Sequence, residues 1–319
     1  MNLSKKDSLS YKLNNMIKLK LLFVSPDYKE TYPYSFVETC YFDKERFDCT
    51  VLLITSDDID KVISMAQDYD CVVNLCDGYL NNTNKIPNID IIDALEKHNI
   101  PYTGSNKSTY CLSKSDLVGV IPTPKSIHYK NYNMNKELLN NMSFPLFVKP
   151  DNLGCSELID EHSVVNNIEE LDNQLSKIIG KTDNIIIQEY INGSEYTALV
   201  FRNKNGVVVC LEPIQILFTK TLPYLTYNTK INDFDNIVYN FDIDEENKNK
   251  IKKSCIEAYE KLNINSYVRI DLRENYIIDV NSYPEILGLV EEENIGDSII
   301  LKSYNFNDFL IDILYDACK

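Results

Sequence analysis

The chain reads as an α/β protein, with a parallel α/β unit at its N-terminus followed by two α+β units. Three observations predict this. Strand-like apolar runs alternate with helical stretches up to about residue 115, the order that builds a parallel sheet. Asp70-Cys71-Val72-Val73-Asn74-Leu75 is a continuous apolar run, as expected of a parallel strand covered on both faces. Beyond residue 184, β-rich runs are joined by short polar turns, Asn203 to Gly206 and Arg273 to Asn275, which is a hairpin pattern.

The elements follow in order. Residues 1–17 are polar and lack sustained periodicity, so they are expected as a loose tail or an added strap. The first unit, 18–115, contains strands at Lys20–Val24 and Thr50–Ile54. It continues with helical spacing over Ile59–Gln67, the buried strand at 70–75, an amphipathic helix over Ile89–His98, and a strand and turn at Ile100–Gly104. The second unit, 116–188, holds the strand Pro145–Pro150 and a helix over Ile168–Ile179, stopped at Gly180 by a good C-cap residue. Asn184–Glu189 is a strand leading into the third unit, 189–319. There, strands at Tyr196–Phe201 and Val207–Leu211 precede a helix over Glu245–Leu262 and then a hairpin.

Composition excludes several functions. At 319 residues with 44 % hydrophobic and 25 % charged residues, the chain is globular and long enough for two or three domains. A net charge of −16 argues against a nucleic-acid surface, which needs clustered Lys and Arg. Nine cysteines without a CxxC pair, and only three histidines, give a zinc site little support. The cysteines are expected to be reduced and mostly buried, in a cytoplasmic protein. No apolar run is long enough for a membrane span. No GxGxxG follows the first strand, which disfavours a dinucleotide-binding oxidoreductase.

Three segments carry chemistry. In the hairpin Val268–Pro284, strand alternation puts Arg269 and Asp271 on one face, and Asp279 and Asn281 on one face of the partner strand. Two carboxylates and an amide oxygen suit a hard cation such as Mg²⁺, and two acids this close need a cation or Arg269 to compensate them. Read otherwise, the same residues are the solvated face of an antiparallel pair. In Phe144–Pro150, Lys149 ends an apolar strand just before Gly154-Cys155-Ser156; it either snorkels to the surface or meets phosphate oxygens beside a turn of flexible amides. In Ile185–Glu195, the strand end Gln188-Glu189-Tyr190-Ile191 can present backbone groups to a purine, and Glu195 can accept ribose hydroxyls. The plain alternative is a strand, a turn at Asn192-Gly193 and exposed acids.

In this order the motifs resemble the ATP-grasp superfamily, and most of all its D-alanine–D-alanine ligase-like branch of carboxylate–amine ligases. The resemblance spans about residues 70–290. It rests on Asn74–Gly78 with Ile100-Pro101-Tyr102-Thr103-Gly104-Ser105, and on Leu112-Ser113-Lys114 before Ile121-Pro122-Thr123-Pro124. Phe144-Pro145-Leu146-Phe147-Val148-Lys149-Pro150, Arg269-x-Asp271 and Asp279-x-Asn281-x-x-Pro284 complete the series. It implies two α+β subdomains clasping ATP, two Mg²⁺ ions for which Mn²⁺ can substitute, small carboxylate and amine substrates, and a possible homodimer. By position it gives Lys114 and Lys149 the α- and β-phosphates, and Gly154, Cys155 and Ser156 a turn closing over phosphate. Gln188, Glu189, Tyr190 and Ile191 become the adenine connection and Glu195 the ribose acid. Lys230, on a mobile loop, is assigned the γ-phosphate. Asp271, Asp279 and Asn281 become metal ligands, and Arg269 the stabiliser of the tetrahedral intermediate.

The chain also departs from that branch. Ser25-Pro26-Asp27-Tyr28-Lys29-Glu30 stands where a Gly-Gly-x-Ser-x-Glu-type segment holds the first amino acid. Asp279 replaces a glutamate, and Pro284-Glu285 replaces Pro-Gly. Ser282 can still donate to a substrate, whereas Glu285 repels a carboxylate and attracts an amine. These departures predict an amide- or peptide-forming ligase acting on substrates other than D-alanine. A degenerate nucleotide-binding sensor or scaffold, and a true D-alanine–D-alanine ligase, stand as the alternatives.

Overall fold

Three sheets follow from these patterns. The computed structural model describes residues 3–27, 42–76, 88–130, 136–154, 156–219, 222–232, 237–284 and 303–319. The first sheet contains β1 (Leu19–Pro26), β2 (Phe47–Ile54), β3 (Cys71–Asn74) and β4 (Tyr102–Thr103), in the order β2-β1-β3-β4 and parallel throughout. Its strands read as unbroken apolar runs because both faces are covered. On one face Leu22, Val24 and Val72 meet Val62 of α2 (Ile59–Met65) and Ile91 and Leu95 of α3 (Asn88–Lys97). On the other, Leu21, Phe23, Cys71 and Val73 join a core that includes residues from both ends of the chain.

Those ends are where the sequence misleads. The segment expected as a loose tail or strap forms α1 (Lys5–Asn14), capped by the Ser4 side chain accepting from the Asp7 amide. Only Leu9 and Leu13, one turn apart, face inward, too few to register as periodicity; both are buried in that shared core. A C-terminal helix, Phe306–Asp316, carries Phe309, Leu310, Ile313 and Leu314 into the same core, so it packs on the first sheet although its sequence follows the third.

The second sheet is antiparallel, β5 (Ser126–Lys130), β8 (Asn184–Glu189), β6 (Leu146–Pro150) and β7 (Val164–Val165) lying in the order β5-β8-β6-β7. A helix over Ile168–Ile178, capped by Asn167 and followed by Gly180 at φ +89°, lays Leu171, Leu175 and Ile178 on Leu146, Val148, Ile185 and Ile187. The third sheet is β9 (Glu195–Arg202), β10 (Val208–Cys210), β11 (Ile214–Phe218), β12 (Ile237–Asn240), β13 (Val268–Arg273) and β14 (Tyr276–Asn281). Its order is β12-β11-β9-β13-β14, with β10 also on β9. The helix Glu245–Lys261 covers one face, packing Ile251, Cys255, Ala258 and Tyr259 on Ala198, Val200, Ile270, Leu272 and Val280. Period-two alternation then turns Arg269, Asp271 and Arg273 to the opposite face. Cys71, Cys76, Cys210 and Cys255 are buried free thiols as expected, but Cys111 is exposed.

Candidate functional site

The hairpin β13–β14 pairs as its alternation predicts. Arg269 lies opposite Asn281 and Asp271 opposite Asp279, and a bulge after Asp271 shifts the remaining register. On the other side β9 sets Thr197 beside Asp271 and Glu195 beside Arg273. The result is a polar row running from Arg269 and Asn281, through Asp271 and Asp279, to Arg273 and Glu195. Successive members along β13 are two residues, about 7 Å, apart.

The row is electrostatically tight. Arg269 grips Asp271 with two bonds, Nε to Oδ1 at 2.9 Å and Nη2 to Oδ2 at 3.0 Å, and the Thr197 hydroxyl donates to Oδ1 at 2.7 Å. Burial opposes the Arg269 charge, but the adjacent Asp271 carboxylate and its bonds outweigh burial and push the guanidinium pKa upward. Arg269 is therefore a fixed, permanently charged donor.

Two lysines reach the row, Lys114 from the end of the first unit and Lys149 from the second. Lys149 leaves the end of β6 and donates from Nζ to the Ile278 carbonyl on β14 at 2.9 Å. It is 6 % exposed, so it is buried beside β14 and does not snorkel to the surface. Burial first, and the Lys114 ammonium second, pull its pKa down to about 8, against the opposing pull of Asp279, Glu195 and Asp271. Lys114 lies 3.5 Å from Asp279 Oδ1 and donates to the Leu153 carbonyl at 3.0 Å.

The depressed Lys149 pKa has a measurable consequence. Between pH 8 and about 10.5 the unfolded chain holds a proton that the folded chain has released, so stability rises with pH across that window. In metal- and nucleotide-free protein the gain is on the order of 3 kcal/mol. Denaturant melts from pH 7.5 to 10.5 check it: Lys149→Met should flatten this rise, and a parallel rise in that variant would refute the assignment.

The remaining predicted residues fall as follows. Gly154 accepts from the Glu157 amide, and Ser156, at φ +54°, accepts from the Ile159 amide, so a tight turn follows β6. Cys155 and Glu285 lie outside the described residues, as do residues 28–30 of the first-substrate segment. Gln188 donates to the Ser126 hydroxyl at 3.0 Å, and the Glu189 carboxylate accepts from the Ser143 amide at 2.9 Å. The Tyr190 ring stacks on Phe147, 6.2 Å between centroids, and its amide donates to the Pro145 carbonyl. The Ile191 carbonyl accepts from Arg273 at 3.4 Å, and Glu195 is ion-paired with Arg273 at 2.7 Å. Lys230 was expected on a mobile loop, but its backbone lies in a short helix, Tyr227–Asn232, at whose start the Thr226 hydroxyl accepts from the Thr229 amide. Ser282 is buried; its hydroxyl donates to the Tyr110 carbonyl at 3.4 Å and its own carbonyl accepts from Ser105 at 2.5 Å.

Sequence reasoning missed three residues here. Asp151 follows the lysine strand. Its carbonyl accepts from the Lys114 amide, and its carboxylate accepts from the Ser115 amide and hydroxyl, both at 2.7 Å. It thereby ties one predicted phosphate lysine to the strand of the other, and an acid directly after Lys149-Pro150 was the available signal. Tyr283 donates to the Asn74 carbonyl and anchors the end of the hairpin on the first sheet. Arg273, read only as part of a turn, is buried at one end of the row.

The donor set fits a hard divalent cation. Among the described residues no three His, Cys, Asp or Glu side chains converge as metal ligands. The candidate ligands are therefore two carboxylates, Asp271 and Asp279, and the Asn281 amide oxygen. Carboxylate and amide oxygens are the ligand types such a cation takes.

Residues 117–289 match the family described as D-ala D-ala ligase C-terminus. The chain is 25 % identical over 254 residues to a D-alanine–D-alanine ligase of Bacillus anthracis, covering 76 % of this chain and 78 % of that one. In structure it is similar to D-alanine–D-alanine ligase from Bacillus anthracis complexed with ATP, with TM-score 0.67, 19 % identity, and 93 % of this chain and 97 % of that chain covered. It is also similar to VanG D-Ala:D-Ser ligase from Enterococcus faecalis, with TM-score 0.65, 17 % identity, and 93 % and 99 % covered. At these identities the structural likeness bears on the fold, and it bears out the α/β and α+β architecture expected from the sequence. No helix among the described residues is long and apolar enough to cross a membrane.

Proposed function

Because the chain belongs to the D-ala D-ala ligase C-terminus family, whose members are ATP-grasp ligases that form carbon–nitrogen bonds, we propose that it joins a small carboxylate to an amine at the cost of ATP. The products are an amide or peptide, ADP and phosphate, and the intermediate is an acyl phosphate. One observation carries this reading: the register that sets Arg269 with Asn281 and Asp271 with Asp279, facing Lys149 and Lys114.

The chemistry follows along the row. The substrate carboxylate attacks the γ-phosphorus of ATP, the bond to ADP breaks, and the amine then attacks the acyl carbon as phosphate leaves. Lys114 and Lys149 hold the phosphates, and Gln188 to Ile191 with Glu195 hold the nucleoside. Arg269 donates to the oxyanion of the tetrahedral intermediate, a contact of a kind worth about 3 kcal/mol elsewhere. Asp271, Asp279 and Asn281 would hold Mg²⁺, which supplies charge neutralisation to phosphoryl transfer. No strong general base faces the row among the residues assigned to it, so the amine enters neutral or gives its proton to a product oxygen.

The substrates are amino-acid-like, and we read them as differing from the D-alanine pair. The shorter Asp279 supports this, as does Ser282, whose hydroxyl is turned to the Tyr110 carbonyl. The name of the B. anthracis relative favours a second reading, ligation of D-alanine to D-alanine. Buried free thiols support a cytoplasmic setting, and homodimeric assembly belongs to the same proposal. The test is product analysis with ATP, Mg²⁺ and panels of amino acids and amines that include D-alanine. ADP with a new amide is expected; AMP with pyrophosphate would exclude the acyl phosphate. Dipeptide from D-alanine alone, faster than from any other pair, would favour the second reading.

A further inference from the structure

Arg273 lies at the end of the row away from Arg269, and none of the roles above uses it. Its side chain is 4 % exposed. Nη2 lies 2.7 Å from Glu195 Oε2 and also donates to the Pro223 carbonyl. Nη1 donates to the Tyr190 hydroxyl at 2.8 Å and to the Ile191 carbonyl at 3.4 Å. The guanidinium centre stands 5.2 Å from the Tyr190 ring centroid and 6.0 Å from that of Phe218. A single planar fork thus holds the expected ribose acid, two residues of the expected adenine connection, and the segment that leads to the helix bearing Lys230.

The geometry points to Arg273 as a specificity-determining residue for the nucleoside, one that competes with ribose hydroxyls for the Glu195 carboxylate. This rests on the reading of the cleft as an ATP site. A guanidinium brings a full positive charge to the carboxylate where a hydroxyl brings only a dipole, so Arg273 is the stronger partner for Glu195. A ribose entering beside Glu195 therefore meets an acceptor already engaged by a stronger donor, and its 2′-hydroxyl adds little affinity. The wild-type protein discriminates weakly between ATP and 2′-deoxy-ATP. With the guanidinium removed, the carboxylate turns to the ribose and discrimination appears.

Calorimetric titration of Mg²⁺ with ATP or with 2′-deoxy-ATP tests this, because the ratio of the two Kd values does not depend on the folded fraction. Wild type should bind both within about twofold. In Arg273→Met the ratio should rise about tenfold in favour of ATP, the size of one hydrogen bond to a charged acceptor. Arg273→Met combined with Glu195→Gln should return the ratio to within about threefold of wild type. If Arg273→Met does not fold with Glu195 left unpaired, Arg273→Lys, which keeps the charge and loses the fork, should raise the ratio about threefold. An unchanged ratio in the folded single variant overturns the proposal, as does equal weakening of both nucleotides, which would make Arg273 a support of the pocket. Absence of binding by wild type removes the ATP reading and this proposal with it.

Discussion

Asp271→Ala is expected to lower kcat at least about a thousandfold and to destabilise the protein by about 3–5 kcal/mol. Both effects have one origin. Asp271 accepts two bonds from Arg269 and one from Thr197, and the pair is largely buried, at 15 % and 16 % side-chain exposure. Alanine leaves the largely buried guanidinium without its counter-charge, and it also removes one of the two carboxylates proposed to hold Mg²⁺. Asn281→Ala separates the effects. Its amide oxygen accepts only from the Tyr283 amide, at 2.9 Å, among the bonds described, so stability should fall by about 1 kcal/mol while kcat still falls a hundredfold or more. Turnover assays beside denaturant melts of both variants provide the check. If both retained wild-type turnover, the hairpin would have no part in the chemistry.

Gly104→Ala is expected to cost about 3 kcal/mol, through two causes that a second substitution can separate. Gly104 has φ +100°, a region that side chains with a Cβ rarely adopt, and a Cβ there would stand 2.8 Å from Tyr283 Cε2 and 2.9 Å from its hydroxyl. The ring cannot retreat freely, because its hydroxyl is bound to the Asn74 carbonyl and it packs edge-on to Tyr110 at 6.4 Å. Tyr283 directly follows Ser282 and Asn281, so turnover should fall along with stability. In a Tyr283→Ala background the clash disappears and only the backbone strain remains. The cost of Gly104→Ala should then shrink by at least about 1 kcal/mol, and an equal cost in both backgrounds would show that the ring does not matter.

Much of this was legible before any coordinates. The hairpin face was readable because strand alternation is rigid: once Arg269 and Asp271 point one way, Asp279 and Asn281 can meet them only in a narrow set of registers. The bulge after Asp271 was not readable, since no glycine or proline marks it. Lys149 was visible as a charge at the end of an apolar strand, but its two fates, surface or cleft, differ by what lies across from it, and that is the carbonyl of Ile278, far along the chain. Arg273 was hidden for a similar reason. In sequence it sits at the edge of a turn beside Glu274 and reads as solvated, whereas in space Glu195 of the neighbouring strand draws it inward. The strands β7 and β12, of two and four residues, were missed because they are too brief to show periodicity, and the five-residue strands β5 and β11 were missed as well. β5 is placed by β8, β7 by β6 and β11 by β9, and β12 then pairs with β11.

The return of the Phe306–Asp316 helix to the first sheet bears on how the molecule is made. Leu21, Phe23 and Val73 lie early in the chain, yet part of what covers them, Phe309, Leu310 and Ile313, is synthesised 236 to 240 residues after Val73. Tyr315 closes the arrangement with a 3.0 Å bond to Asn14 of the first helix. During translation the second and third units emerge and can fold while that face of the first sheet still lacks the part of its cover that this helix supplies. Of the three units, the one synthesised first is therefore completed after the other two have emerged, and through that interval the uncovered part of its apolar face is open to chaperones and to misassociation.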